Sequence, residues 1–96
     1  MQQKLTTEFI GTFFLSLTIC TAAVYGSAGE YAPFGIAAIL MVMIYAGGHI
    51  SGAHYNPAVS IMALVKGDLS QSDLMGYILA QILGALFALE IFKRFL

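Results

Sequence analysis

Apolar positions dominate this chain in three long runs, separated by short polar interruptions. The runs cover roughly Leu5 to Tyr25, Pro33 to Gly47 and Leu74 to Phe92. About 20 apolar residues cross a bilayer as a helix, and the first and third runs meet that length. The second falls short unless it continues toward His49, so it is read as running directly into the interruption that follows. "YGSAGEYAP" (Tyr25 to Pro33), rich in Gly and small residues, reads as a first loop. "KGDLSQSD" (Lys66 to Asp73) reads as a second, in which Ser70 and Asp73 resemble a helix N-cap with an acidic first turn. The expectation is an all-α membrane protein with helices over about 5–25, 33–48 and 70–92.

The stretch Gly47 to Val65, "GGHISGAHYNPAVSIMALV", breaks this pattern. Its first half is polar and Gly-rich. Its second half is apolar but too short to cross. Pro57 fits the first turn of a helix, where its missing N–H is no loss, and Asn56 is a favoured N-cap. Residues 49–65 are therefore expected to enter the membrane as extended backbone and to leave by the same face as a half-helix. Irregular backbone at membrane depth is tolerated only where protein buries it or where it lines a wet cavity. The carbonyls of Gly52, Ala53, His54 and Tyr55 would offer acceptors to a passing solute, and the Asn56 amide would offer donors. The positive end of the half-helix dipole would repel cations.

Composition narrows the class. Of 96 residues, 59% are hydrophobic and only 9% charged, and mean hydropathy is +0.86. A soluble domain carries about a quarter charged residues, so the lipid bilayer is the expected solvent. A net charge of -1 argues against a nucleic-acid partner. Cys20 is alone, so no disulfide framework and no metal-type cysteine spacing exist. Lys4 before an apolar run resembles a signal peptide, but Glu8 and a further helix of the same length argue against that reading. There is no nucleophile–base pair, phosphate loop or metal cluster, so an enzyme is not expected, and no cofactor is implied.

"GHISGAHYNPAVS" (Gly48 to Ser60) resembles the first-half signature of the major intrinsic proteins, the aquaporins and aquaglyceroporins. "TEFIGTFFL" (Thr7 to Leu15) is similar to that family's first helix and "YILAQILGAL" (Tyr77 to Leu86) to its third. Three segments in the right order are more specific than the triplet Asn56, Pro57, Ala58 alone. The resemblance implies half of a right-handed bundle, re-entrant half-helices meeting at the bilayer centre, and passive conduction of water or small neutral solutes such as glycerol. Family members carry two inverted halves with about six spans, whereas this chain matches one. The expected partner is a second copy, assembled antiparallel. Lys4 and Lys66 fall on one side of the membrane and Lys93 and Arg94 on the other, so positive charge sets no orientation, as dual topology needs. By analogy with the family's four-pore particle, eight chains would assemble. The cytoplasmic membrane of a microbe is the expected location. A different complementary half, or a non-conducting scaffold, are the competing readings.

The resemblance also assigns residues. Glu8 is an intramembrane acid and thus a functional candidate, but the family implies that it accepts hydrogen bonds from the loop near His54. Gln81 is expected to do the same from the other side. His49 and His54 are expected to brace the loop. Zinc would need three or four ligands, and no Cys, Asp or Glu lies near them in sequence. Gly76, Ala80, Gly84 and Ala88 form a small-residue stripe for close helix packing. Met41, Met43 and Met62 are expected to pack or face lipid. The family's selectivity constriction draws on one residue early in the second helix, one late in the fifth and two from the second re-entrant loop. In an antiparallel dimer the matched positions are Ile36, Ile44, Ala53 and Val59. Val59 stands where the family's second half usually has arginine. Both mouths would then be aliphatic, with weaker polar discrimination and lower water flux.

Overall fold

The computed structural model describes residues 1–96 as helices and connecting turns. Helix α1 spans Gln2–Thr18 and continues through one wider, π-type segment, Ile19–Val24. Helix α2 spans Ala32–Ser51, α3 Pro57–Lys66 and α4 Gln71–Phe95. Three spans of 23, 23 and 25 residues are long and apolar enough to cross a membrane. At 1.5 Å per residue a 23-residue span reaches about 35 Å, matching the longest molecular dimension of 39 Å.

Local chemistry sets most boundaries. Ser70 caps α4, its hydroxyl accepting from the Asp73 N–H at 3.2 Å. Gly67, with φ 97°, closes α3. Helix α2 runs to Ser51, beyond the expected end at residue 48, and Gly52 closes it with φ 89° and an N–H bonded to the Gly48 carbonyl. Gly47 and Gly48 thus do not break the helix. Gly47 is needed for close approach instead, because a Cβ there would collide with the Tyr55 hydroxyl and the Thr7 methyl.

Helices α1 and α4 pack together along the small-residue stripe. A Cβ on Gly84 would come within 2.5 Å of the Phe9 carbonyl oxygen, and one on Gly76 within 3.0 Å of Leu5 Cδ2. Ala80 and Ala88 are buried in the same seam. Phe87 stacks on Phe9 and tilts against Phe13. The polarity of the molecule is inverted relative to a soluble domain. Its most buried large side chains are Tyr77, Gln81, Glu8 and Ser60, while Met41, Met62, Leu79, Leu83 and Phe34 are exposed. That arrangement suits a hydrocarbon solvent, in which polar groups must find partners inside.

Candidate functional site

Between α2 and α3 the backbone of residues 52–56 forms no regular structure. Ala53 and Tyr55 both adopt left-handed φ, near 54° and 53°. Non-glycine residues rarely take that conformation, so the surroundings must hold it. The holding group is Glu8. Its Oε2 accepts from the Ser51 hydroxyl at 2.7 Å and the His54 N–H at 3.0 Å. Its Oε1 accepts from the Tyr55 N–H and from Gln81 Nε2, both at 2.8 Å. Four donors converge on one carboxylate that is 0% exposed. The Ala53 N–H is taken by the Ser51 hydroxyl at 3.1 Å.

The loop is therefore directional. Its N–H groups at 53, 54 and 55 point inward to side chains. The carbonyls of Gly52, Ala53, His54 and Tyr55 accept no hydrogen bond within the chain. Two tyrosines fix its ends: Tyr77 donates to the Ser51 carbonyl at 2.6 Å and Tyr55 to the Met43 carbonyl at 2.7 Å. Asn56 then starts α3 with extended backbone, and its Oδ1 accepts from the Ala58 N–H at 2.9 Å. Pro57 occupies the first turn, and Asn56 and Ala58 are both exposed. An uncapped row of acceptors beside a helix N-terminus can strip part of the hydration shell from a neutral polar solute, and the helix end disfavours cations.

His54 and His49 behave differently, against the expectation that both brace the loop. His54 Nδ1 lies 2.8 Å from Ser60 Oγ, inside the network. His49 sits in the last turn of α2, is exposed, and its ring makes no hydrogen bond to the loop. Of the four residues matched to a constriction, Ile36 and Ile44 stand about two turns apart on α2. Ile36 lies in the first turns of α2, about 12 Å along the axis from Ile44, and Ile44 is exposed. Ala53 and Val59 are half-buried at the loop and at the start of α3.

Three contributors escaped the sequence reading: Ser51, Ser60 and the Tyr77 hydroxyl. Ser60 had a signal, being the single polar residue between Pro57 and Val65. It accepts from Gln81 Nε2 at 3.0 Å.

The model of the family described as "Major intrinsic protein" matches residues 1–96. Among similar curated proteins, "Aquaporin NIP1-1" of Zea mays is 41% identical over 92 residues, covering 90% of this chain and 33% of the relative. "Aquaporin Z" of Brucella melitensis biotype 1 is 41% identical, covering 95% and 43%. "Glycerol uptake facilitator protein-like 6" of Lactiplantibacillus plantarum is 40% identical, covering 97% and 44%. The chain spans less than half the length of these relatives.

Proposed function

The chain belongs to the major intrinsic protein family, and on that premise we propose that it forms one wall of a passive membrane channel for water or small neutral solutes such as glycerol. The observation that carries this reading is the directional loop. All of its inward N–H groups at 53–55 are tied to Glu8 and Ser51, while four consecutive carbonyls stay free beside the Asn56–Pro57–Ala58 helix end. The names of the relatives, aquaporin and glycerol uptake facilitator, support the solute class. Permeation of this kind makes and breaks no covalent bond, so the protein is read as a channel and not an enzyme.

One row of acceptors is an open wall. A second copy, inverted in the membrane, would supply the facing row and the facing half-helix, and four such dimers would give an eight-chain particle. In the dimer, Ile36 of one copy would share a level with Ile44, Ala53 and Val59 of the other. Charge at the two ends supports insertion in both directions. Lys4 and Lys66 lie at one end with Asp68 and Asp73, and Lys93 and Arg94 at the other with Glu30 and Glu90. Lys66 pairs with Asp68, while Lys93 and Arg94 share Glu90. Bacterial relatives support a microbial cytoplasmic membrane as the setting.

The test is osmotic shrinkage of proteoliposomes that hold only this purified chain, with Asn56→Asp as the control. Water or glycerol flux above that of empty vesicles, lost in the control, supports the homomeric pore. Flux equal to empty vesicles from folded protein assigns the opposite wall to a different half. A C-terminal tag found on one face only would overturn the antiparallel pairing.

A further inference from the structure

The amide nitrogen of Gln81 carries two hydrogens, and both are used. One goes to Glu8 Oε1 at 2.8 Å and the other to Ser60 Oγ at 3.0 Å. Ser60 is 0% exposed, and the remaining hydrogen-bond neighbour of its hydroxyl is His54 Nδ1 at 2.8 Å. A hydroxyl that accepts from Gln81 still has one hydrogen to give. Given to Nδ1, it makes that nitrogen the acceptor and leaves the ring proton of the neutral imidazole on Nε2.

Nε2 has no hydrogen-bond partner in the chain. The half-exposed ring stands over Gly52, where a Cβ would come within 3.2 Å of Nε2, and Gly52 is exposed and carries the first free carbonyl. Tyr77 backs the ring with centroids 5.1 Å apart. The geometry points to the His54 Nε2–H as a hydrogen-bond donor set beside the carbonyl row, with Gln81 and Ser60 as positioning residues that fix its tautomer from the buried Glu8. The ligand it would take is a neutral hydroxyl-bearing solute, water or a polyol, which would meet one donor next to a run of acceptors. Gln81 and Ser60 touch no solute and act on it through His54. This inference rests on reading the loop as a wall of the conduit.

The experiment is 15N NMR of the His54 ring in proteoliposomes, on a His49→Asn background that leaves a single histidine. His49 lies outside the network, so its replacement spares the relay. The expected spectrum is one tautomer, protonated on Nε2, whose Nε2–H exchanges with bulk D2O. Ser60→Ala should collapse that into a mixture of tautomers, and Ser60→Thr should restore the single form. An Nδ1–H tautomer in the parent, an Nε2–H sealed from D2O, or a Ser60→Ala spectrum like the parent's would each overturn the inference. If Ser60→Ala does not fold, the parent spectrum decides alone. None of these readouts needs flux. A non-conducting chain with an exchanging Nε2–H refutes the homomeric pore and not the donor, and a conducting chain with Nδ1–H refutes only the donor.

Discussion

The ring of Tyr55 occupies the space in which a side chain on Gly11 would stand. Gly11 belongs to α1 and Tyr55 to the irregular loop, so the loop is keyed into a notch of the first helix as well as bonded to its carboxylate. Gly47 of α2 leaves room for the hydroxyl end of the same side chain. Gly11→Ala is expected to cost about 1–3 kcal/mol, the usual range for overpacking. Unfolding in detergent with increasing denaturing surfactant measures it. An unchanged midpoint would mean that the ring moves freely, contrary to the left-handed φ that Tyr55 maintains.

Glu8→Gln replaces one acceptor oxygen with an amide that is itself a donor. Two of the four donors then face a donor. Losing two hydrogen bonds to a charged group costs roughly 3–6 kcal/mol if each contributes about 1.5–3. The same surfactant titration should show a large destabilisation. A midpoint within error of the parent would remove Glu8 as the group that holds residues 53–55.

Two glycines of the α1–α4 seam should respond differently to the same substitution. At Gly84 the added carbon meets the Phe9 backbone carbonyl, which cannot yield without separating the helices. At Gly76 it meets only the far end of the Leu5 side chain. Gly84→Ala should therefore destabilise by about 1–3 kcal/mol. Gly76→Ala should be close to neutral, helped by the better helix propensity of alanine, worth up to about 1 kcal/mol. Equal effects would contradict the packing described.

Thr12 is buried on the helix face that also carries Glu8, and its hydroxyl has no partner. Valine has the same shape without the stranded polar atom. Thr12→Val should raise stability by roughly 1 kcal/mol, the low end of the cost of a buried unsatisfied group. A loss of stability would mean that the hydroxyl is bonded, for example to a trapped water.

Val59→Arg tests the placement of the constriction. The substitution puts a fixed cation and several donors in the first turn of α3, so glycerol permeability should fall relative to water in proteoliposomes. An unchanged ratio of the two permeabilities would mean that Val59 does not line the path.

The spans and the Asn56–Pro57 helix start were legible in the sequence because both are local: apolar runs of bilayer length, and a capping residue followed by a proline. The end of α2 was not. Gly47 and Gly48 look like breakers in a string of letters, and only the position of Tyr55 shows that Gly47 is a contact. The two histidines are equally uninformative in sequence, since the turn of backbone that separates them decides which ring meets Ser60. Of the partners of Glu8, the loop near His54 was reached, through family resemblance and not through spacing, whereas Ser51 escaped and Gln81, expected to accept from the loop, donates to Glu8 instead; nothing in periodicity joins a residue of α1 to one of α4. The π-type segment at Ile19–Val24 had no sequence signal that we can identify.

The order in which this chain is synthesised follows from the same carboxylate. Glu8 leaves the ribosome before its donors, which lie 43, 46, 47 and 73 residues downstream. A bare acid inside a spanning helix costs up to about 2.5–3.5 kcal/mol on insertion scales, the value reached at the helix centre. Helix α1 is thus a poor membrane anchor at the moment it is made. Its fourth donor comes only with Gln81, which ties the settling of α1 in the membrane to translation of α4.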